Sequence, residues 1–119
     1  MAPTDGYESL WIPPTLTGTI FDLSIAASSK QYKDGAATPT IGYNGAEFWG
    51  PTLVMTKGDL VSLRVNNLLD EETTTHWHGF HIPAEMDGGP HQTIAAGGTW
   101  SPSFEVKNQA ATFWYHPHM

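Results

Sequence analysis

Cysteine is absent from this chain of 119 residues. Its absence excludes disulfide bonds, and it leaves the chain without a thiolate that could serve as a soft metal ligand. The lack of cysteine does not indicate a cellular compartment, because proteins in every compartment can lack disulfide bonds.

Basic residues are also few, since five Lys and Arg stand against twelve Asp and Glu and give a formal charge of -7. No basic patch is available to meet phosphate groups, so neither nucleic acid nor an anionic membrane surface is an expected partner. No apolar run approaches the roughly 20 residues that a membrane span needs. No secretory signal is visible at Met1, although a start at Met1-Ala2-Pro3 is also compatible with a leader that has been removed.

Charged residues make up only 14% of the chain, whereas twelve glycines and nine prolines supply many turns. This balance favours a turn-rich β protein over a helical bundle. The length fits one domain with one core. We expect an all-β antiparallel sandwich or barrel of Greek-key type, with six to eight short strands. Residues 1–17 predict an irregular N-terminal arm, and residues 18–119 predict the domain itself.

Alternation of apolar and polar residues predicts the strands. Phe21, Leu23 and Ile25 mark one strand at residues 18–27, with residues 30–33 as a candidate partner. Val61, Leu63 and Val65 mark the core face of the second strand in a predicted hairpin. That hairpin is expected to span residues 52–66, with its turn at 57–59. Further strands are predicted at 73–80, 100–106 and 112–116, and a long loop is predicted at 82–99.

Two His-X-His pairs carry the chemistry, one at His76 and His78 and the other at His116 and His118. Residues two apart point to the same face of a strand, whereas on a helix they would point about 200° apart. Two such pairs side by side would place four imidazoles around one small volume. A single histidine on a strand is more simply a satisfied polar group, but two pairs among six histidines favour a metal site. On chemistry alone both zinc and copper remain open.

Several motifs together resemble the first cupredoxin domain of a multicopper oxidase. They are HWHG at 76–79, MDGGP at 86–90 and FWYHPH at 113–118, with YNG at 43–45, GPT at 50–52 and KGD at 57–59 matching the opening strands and turns. The resemblance covers roughly residues 16–119 and is strongest to bacterial laccase-like and cuprous-oxidase-like enzymes. It implies a cupredoxin-like Greek-key fold. The family domain continues well beyond the second histidine pair, so we expect the final strand or strands of that domain to be missing here.

The resemblance also implies the ligands. The family reduces O2 to water at a three-copper cluster held by eight histidines, four of them from the first domain. By resemblance, His76 would ligate the type-2 copper, His78 and His116 would share one type-3 copper, and His118 would ligate the other. The type-1 copper, with its cysteine ligand, and the other four histidines would lie on a part of the protein outside this chain.

Six further side chains lie in or near these motifs, and each has its own expected role. Asp87 resembles a family carboxylate that assists proton delivery, with a plain Asp-Gly turn residue as the alternative. Trp77 is expected to pack and fix its strand rather than to relay electrons. His81 and His91 are expected not to be ligands. Met86 and Met119 are expected to be packing or end residues.

The sequence thus predicts the N-terminal part of a laccase-like multicopper oxidase that oxidises phenolic or small reducing substrates, or Cu(I). A complementary C-terminal segment or chain would complete it, and this chain alone is expected to be inactive. The alternatives are a fragment that binds copper without turnover, a stand-alone copper-binding or buffering module that could complete its sites as a homo-oligomer, and a zinc hydrolase with Asp87 as general base. A secreted or periplasmic location is implied by the resemblance.

Overall fold

The computed structural model describes residues 6–118, and this part of the chain is all-β apart from one turn of 3-10 helix. The predicted fold class is confirmed at the level of secondary structure. The strands, in chain order, are β1 (Thr15–Thr17), β2 (Ile20–Lys30), β3 (Thr38–Tyr43), β4 (Thr52–Val54), β5 (Leu60–Asn67), β6 (His76–His78), β7 (Thr99–Trp100), β8 (Ser103–Glu105) and β9 (Trp114–His116), with the 3-10 turn at Ala84–Met86.

The largest sheet has five strands in the order β3-β2-β5-β7, with β8 also pairing with β5. Strand β5 runs parallel to β2 and antiparallel to β7 and β8. Two smaller sheets, β1-β4 and β6-β9, complete the arrangement. No helix among residues 6–118 has the length and apolar character needed to cross a bilayer.

The core lies on one face of the five-stranded sheet. Phe21, Leu23 and Ile25 of β2 are at most 1% exposed, as the alternation predicted. Val61, Leu63 and Val65 of β5 are at most 2% exposed. Each such side chain contributes about 1.5–3 kcal/mol by leaving water, so these two neighbouring strands form the centre of the fold.

The predicted hairpin at 52–66 is wrong. Strand β4 pairs in parallel with β1, and β5 pairs in parallel with β2, so the two halves of the expected hairpin belong to different sheets. The turn itself is present, since the Asp59 amide donates to the Thr56 carbonyl and Gly58 adopts a φ of +93°. The Gly58 amide donates to the carbonyl of Val106, one residue after β8, so the turn is held against the five-stranded sheet that β5 then enters.

Other strand boundaries also differ from the prediction. The partner of β2 is β3 rather than residues 30–33, and Lys30 is the last residue of β2. The strand expected at 100–106 divides into β7 and β8 around the buried Pro102, which has no amide hydrogen to donate to a ladder. The strands expected at 73–80 and 112–116 shorten to β6 and β9.

The N-terminal arm expected at 1–17 is only partly irregular. Residues 1–5 lie outside the described residues, as does Met119, whose expected role as an end residue therefore stays a prediction. Residues 6–14 form no strand, but Thr15–Thr17 form β1 beside β4. The division at residue 18 remains a prediction.

Candidate metal centre

Strands β6 and β9 carry the histidine pairs and lie antiparallel to each other. His76 is opposite His116, and His78 is opposite Trp114. Alternate residues of a strand share a face. His76, His78, Trp114 and His116 therefore project from the same side of the two-stranded sheet. His118 follows two residues beyond His116, just past the end of β9.

The opposite face of β6 is anchored by Trp77, which is 2% exposed. Its ring centroid lies 6.2 Å from that of Trp100, 6.2 Å from Phe104 and 5.8 Å from Tyr115. Trp77 therefore packs the histidine sheet onto the five-stranded sheet, as expected of a packing residue. Because Trp77 points inward, His76 and His78 on either side of it must point outward.

Two tyrosines, Tyr43 buried and Tyr115 half-buried, fix the same sheet from its inner side. The Tyr115 hydroxyl donates to the Pro51 carbonyl at 2.7 Å, and the Tyr43 hydroxyl lies 2.9 Å from the Thr75 hydroxyl. Burial raises the pKa of both phenols, and for Tyr115 the neighbouring Tyr43 raises the pKa further. Both phenols therefore stay neutral at ordinary pH. These contacts tie β9 to the start of β4, and the residue before β6 to the end of β3.

Three imidazoles converge closely enough to share a metal ion. One ring nitrogen from each of His76, His78 and His116 lies within 4.8 Å of the others. The ring centroids are 5.6 Å apart for His76 and His78, 5.5 Å for His76 and His116, and 5.3 Å for His78 and His116. The structure therefore brings both histidine pairs to one place.

The closest approach joins Nδ1 of His78 to Nε2 of His116, at 3.0 Å. Two imidazole nitrogens bound to one metal at about 2.0 Å each, at an angle near or above 90°, are separated by about 3 Å. The spacing therefore fits two ligands of a single ion. In the metal-free chain the same spacing allows a hydrogen bond from one ring to the other.

Backbone carbonyl oxygens orient the rings of His76 and His116 so that one ring nitrogen of each is free to bind a metal. Nδ1 of His76 lies 2.7 Å from the Asp87 carbonyl, and Nδ1 of His116 lies 2.5 Å from the Pro117 carbonyl. Because a carbonyl only accepts, each Nδ1 carries the proton and each Nε2 keeps its lone pair. This is the usual arrangement around a metal-binding histidine, in which the second nitrogen donates to a fixed acceptor.

His118 lies beside the three histidines, next to His76. Its ring centroid is 4.9 Å from that of His76 and 6.2 Å from that of His116, but it does not join the three-residue group among the described residues. Its backbone amide donates to the hydroxyl of Thr74, a fully buried residue, at 2.7 Å. The fourth ring is therefore adjacent to His76 and to the three-histidine group.

Asp87 contacts His76 mainly through its backbone. Its carbonyl accepts from both Nδ1 of His76 and the Trp77 amide, whereas its carboxylate oxygen lies 3.6 Å from the same Nδ1. The carboxylate is thus beside the protonated edge of the ring and away from the nitrogen that would bind metal. The role in proton delivery predicted for Asp87 stays a prediction.

Two side chains that support the segments next to the histidines, Gln92 and Asn108, were not predicted from the sequence. Gln92 accepts hydrogen bonds from the amides of Gly88 and Gly89 at 2.7 and 3.3 Å. Asn108 accepts from the His81 amide and donates to the Gly79 carbonyl, both at 2.9 Å. His81 and His91 themselves are exposed and lie outside the three-histidine group. Thr74 lies two residues before the HWHG motif and Gln92 two residues after MDGGP, so closeness to a motif was the one signal that could have pointed to them.

Comparisons with known proteins identify the family. A family model described as multicopper oxidase matches residues 24–119. The multicopper oxidase mco of Staphylococcus aureus is 46% identical over 98 residues, which are 82% of this chain and 22% of that protein. The copper resistance protein A homolog of Pseudomonas syringae pv. tomato is 42% identical over 109 residues, covering 89% of this chain and 18% of that protein.

A solved structure shares the fold. The laccase-like multi-copper oxidase CueO from Ochrobactrum sp. superimposes with a TM-score of 0.85 at 36% identity, over 93% of this chain and 26% of that one. The chain therefore belongs to the multicopper oxidase family, and the predicted cupredoxin-like fold is confirmed. It spans about a fifth of the length of the relatives named above and about a quarter of the solved chain.

Proposed function

We propose that this chain supplies half of the histidine ligands of a three-copper cluster in an oxidase that reduces O2 to water. The observation that supports the proposal best is the 3.0 Å approach of His78 to His116 across two paired strands, with His76 completing the group. His76 would serve the type-2 copper, His78 and His116 one type-3 copper, and His118 the other type-3 copper. Copper bound there would supply the one-electron redox chemistry that O2 reduction requires.

The chain's own residues have a positioning task in this proposal. The Asp87 and Pro117 carbonyls hold the proton of His76 and His116 on Nδ1, which presents Nε2 to the metal. His78 presents Nδ1 instead, because that nitrogen faces His116. The Asp87 carboxylate, half-buried beside His76, would hold or pass a proton at the edge of the cluster.

An open apolar cleft supports completion of the site by further polypeptide. Leu53, Phe80, Val106 and His116 are among the residues that line it. Among the described residues, Nε1 of Trp77 is a buried side-chain donor without an acceptor, and Trp77 also lines this cleft. A complementary C-terminal segment or chain would cover these groups and bring the type-1 copper and the other four histidines. The substrates would be phenols, small reductants or Cu(I), and the location secreted or periplasmic.

A complementation experiment tests the proposal. The purified chain is mixed with Cu(II) and the matching remainder of a relative such as the Staphylococcus aureus multicopper oxidase. We expect a blue colour and O2 uptake with a phenolic substrate from the mixture, and neither from this chain alone. Copper binding by the chain with no activity in any mixture would instead support the second candidate.

That second candidate is a copper-binding or buffering module without turnover. It is favoured by the convergence of three imidazoles within this one chain, which needs no partner. The zinc hydrolase is less well supported, because the Asp87 carboxylate lies on the protonated side of His76 rather than beside the metal-facing nitrogens. Zinc retained in preference to copper, together with ester hydrolysis, would favour the hydrolase.

A further inference from the structure

One aromatic residue contacts two of the three convergent histidines. The Trp114 ring centroid lies 4.9 Å from that of His78, with an interplanar angle of 37°, and 4.7 Å from that of His116, at 43°. Trp114 is the cross-strand neighbour of His78 in the β6-β9 register. The indole therefore covers the pair whose nitrogens approach each other to 3.0 Å.

His78 is the ring that most needs such support. His76 and His116 each donate to a fixed backbone carbonyl, whereas the hydrogen bonds of the described residues give the His78 side chain only the contact with His116. His78 is also exposed, while the other two are half-buried. Without a second contact, its ring would exchange among several staggered rotamers, since solvent selects no single one of them.

We propose that Trp114 is a positioning residue that sets the ring orientation of His78 and so presents its Nδ1 to a metal shared with His116. An offset aromatic contact restricts the imidazole plane and needs no hydrogen bond. Trp114 is itself 61% exposed, so its position does not depend on burial in the core. This inference rests on the ligand role of His78 proposed above.

Three variants of Trp114 test whether the flat indole ring orients His78 or whether any apolar side chain covering His78 is sufficient. Trp114→Phe keeps a flat ring, Trp114→Leu keeps apolar bulk without one, and Trp114→Ala removes both. Supports around metal-binding histidines typically change affinity by about 10–100-fold. We expect a loss of Cu(II) affinity in that range for the Leu and Ala variants and a loss below about threefold for Phe. Trp11→Ala, at another exposed tryptophan (60%), is the matched control and should leave affinity unchanged.

A second readout uses the metal-free chain. Imidazole nitrogen NMR should show one defined tautomer for His78 in the wild type and the Phe variant, and averaging between tautomers in the Leu and Ala variants. Far-ultraviolet circular dichroism establishes that each variant is folded. The proposal is overturned if Trp114→Leu behaves like Trp114→Phe, or if Trp114→Ala leaves both affinity and tautomer as in the wild type.

His78→Ala is measured in parallel so that the two proposals fail separately. If His78→Ala keeps wild-type Cu(II) affinity, the ligand role of His78 is wrong, and the proposed function with it. If His78→Ala weakens binding while Trp114→Ala does not, only the positioning role of Trp114 is wrong.

Discussion

At the position after Asp87, only glycine fits the structure. Gly88 has a φ of +73°, and a Cβ built there would collide with the Thr75 carbonyl. The close passage of Gly88 against β6 is what brings the Asp87 carbonyl to the Trp77 amide and to Nδ1 of His76. The Asp-Gly pair in the MDGGP motif is therefore a structural support of the candidate metal centre.

Gly88→Ala should accordingly destabilise the fold and loosen His76. The left-handed conformation and the collision with Thr75 act together, so we expect a loss of at least about 2 kcal/mol in the free energy of unfolding, measured by urea titration. Gly97→Ala is the matched control, because Gly97 has a φ of +71° but open space around a Cβ. It should cost about 1 kcal/mol. Equal losses in the two variants would show that the approach to Thr75 is unimportant.

At the scale of single residues, the sequence predicted which histidines converge but not the hydrogen-bonding groups that hold them in place. The His-X-His spacing alone is sufficient to put His76 and His78 on one face, because strand geometry has a period of two. The acceptors for His76 and for the His118 amide are the Asp87 carbonyl and the Thr74 hydroxyl. A backbone carbonyl carries no sequence signature, so contacts of this kind could not be predicted.

Among the elements, β5 was predictable and its pairing was not. The alternation of Val61, Leu63 and Val65 determines which face of β5 is buried. Nothing local distinguishes a hairpin over 52–66 from two strands that cross to different sheets. The exit from β5 depends on Asn67, a fully buried side chain that donates to the Glu71 and Ile94 carbonyls and accepts from the Leu69 amide. That network sets the path toward β6.

The central position of β5 makes a further prediction. Leu63→Ala removes a side chain that is 2% exposed and should lower the free energy of unfolding by about 2–5 kcal/mol. Leu60→Ala, on the same strand but 66% exposed, should change it by less than about 0.5 kcal/mol. Thermal and urea unfolding followed by tryptophan fluorescence measure both. A large loss for Leu60→Ala together with a small loss for Leu63→Ala would mean that the assigned faces of β5 are reversed.

For the whole molecule, the sheets act as a frame that sets the distance between two short histidine strands. Trp77 and Tyr115 face inward from β6 and β9, and their mutual contact at 5.8 Å keeps the two strands in register. The spacing of the histidines on the outer face is therefore set by the packing of the apolar core beneath them. A formal charge of -7 further favours attraction of a cation to the molecule. The family motifs predicted this fold, whereas the order of strands within it required the structure.

The most direct test of the account is the copper content of histidine variants in the complemented enzyme. His78→Ala and His116→Ala should each abolish the type-3 copper signal and lower the copper count per molecule, because each removes one of the two ligands that this chain would supply to one type-3 ion. His81→Ala and His91→Ala, outside the group, should keep the wild-type count. A wild-type copper count in His78→Ala or His116→Ala would contradict the central claim that these paired strands form half of the copper cluster.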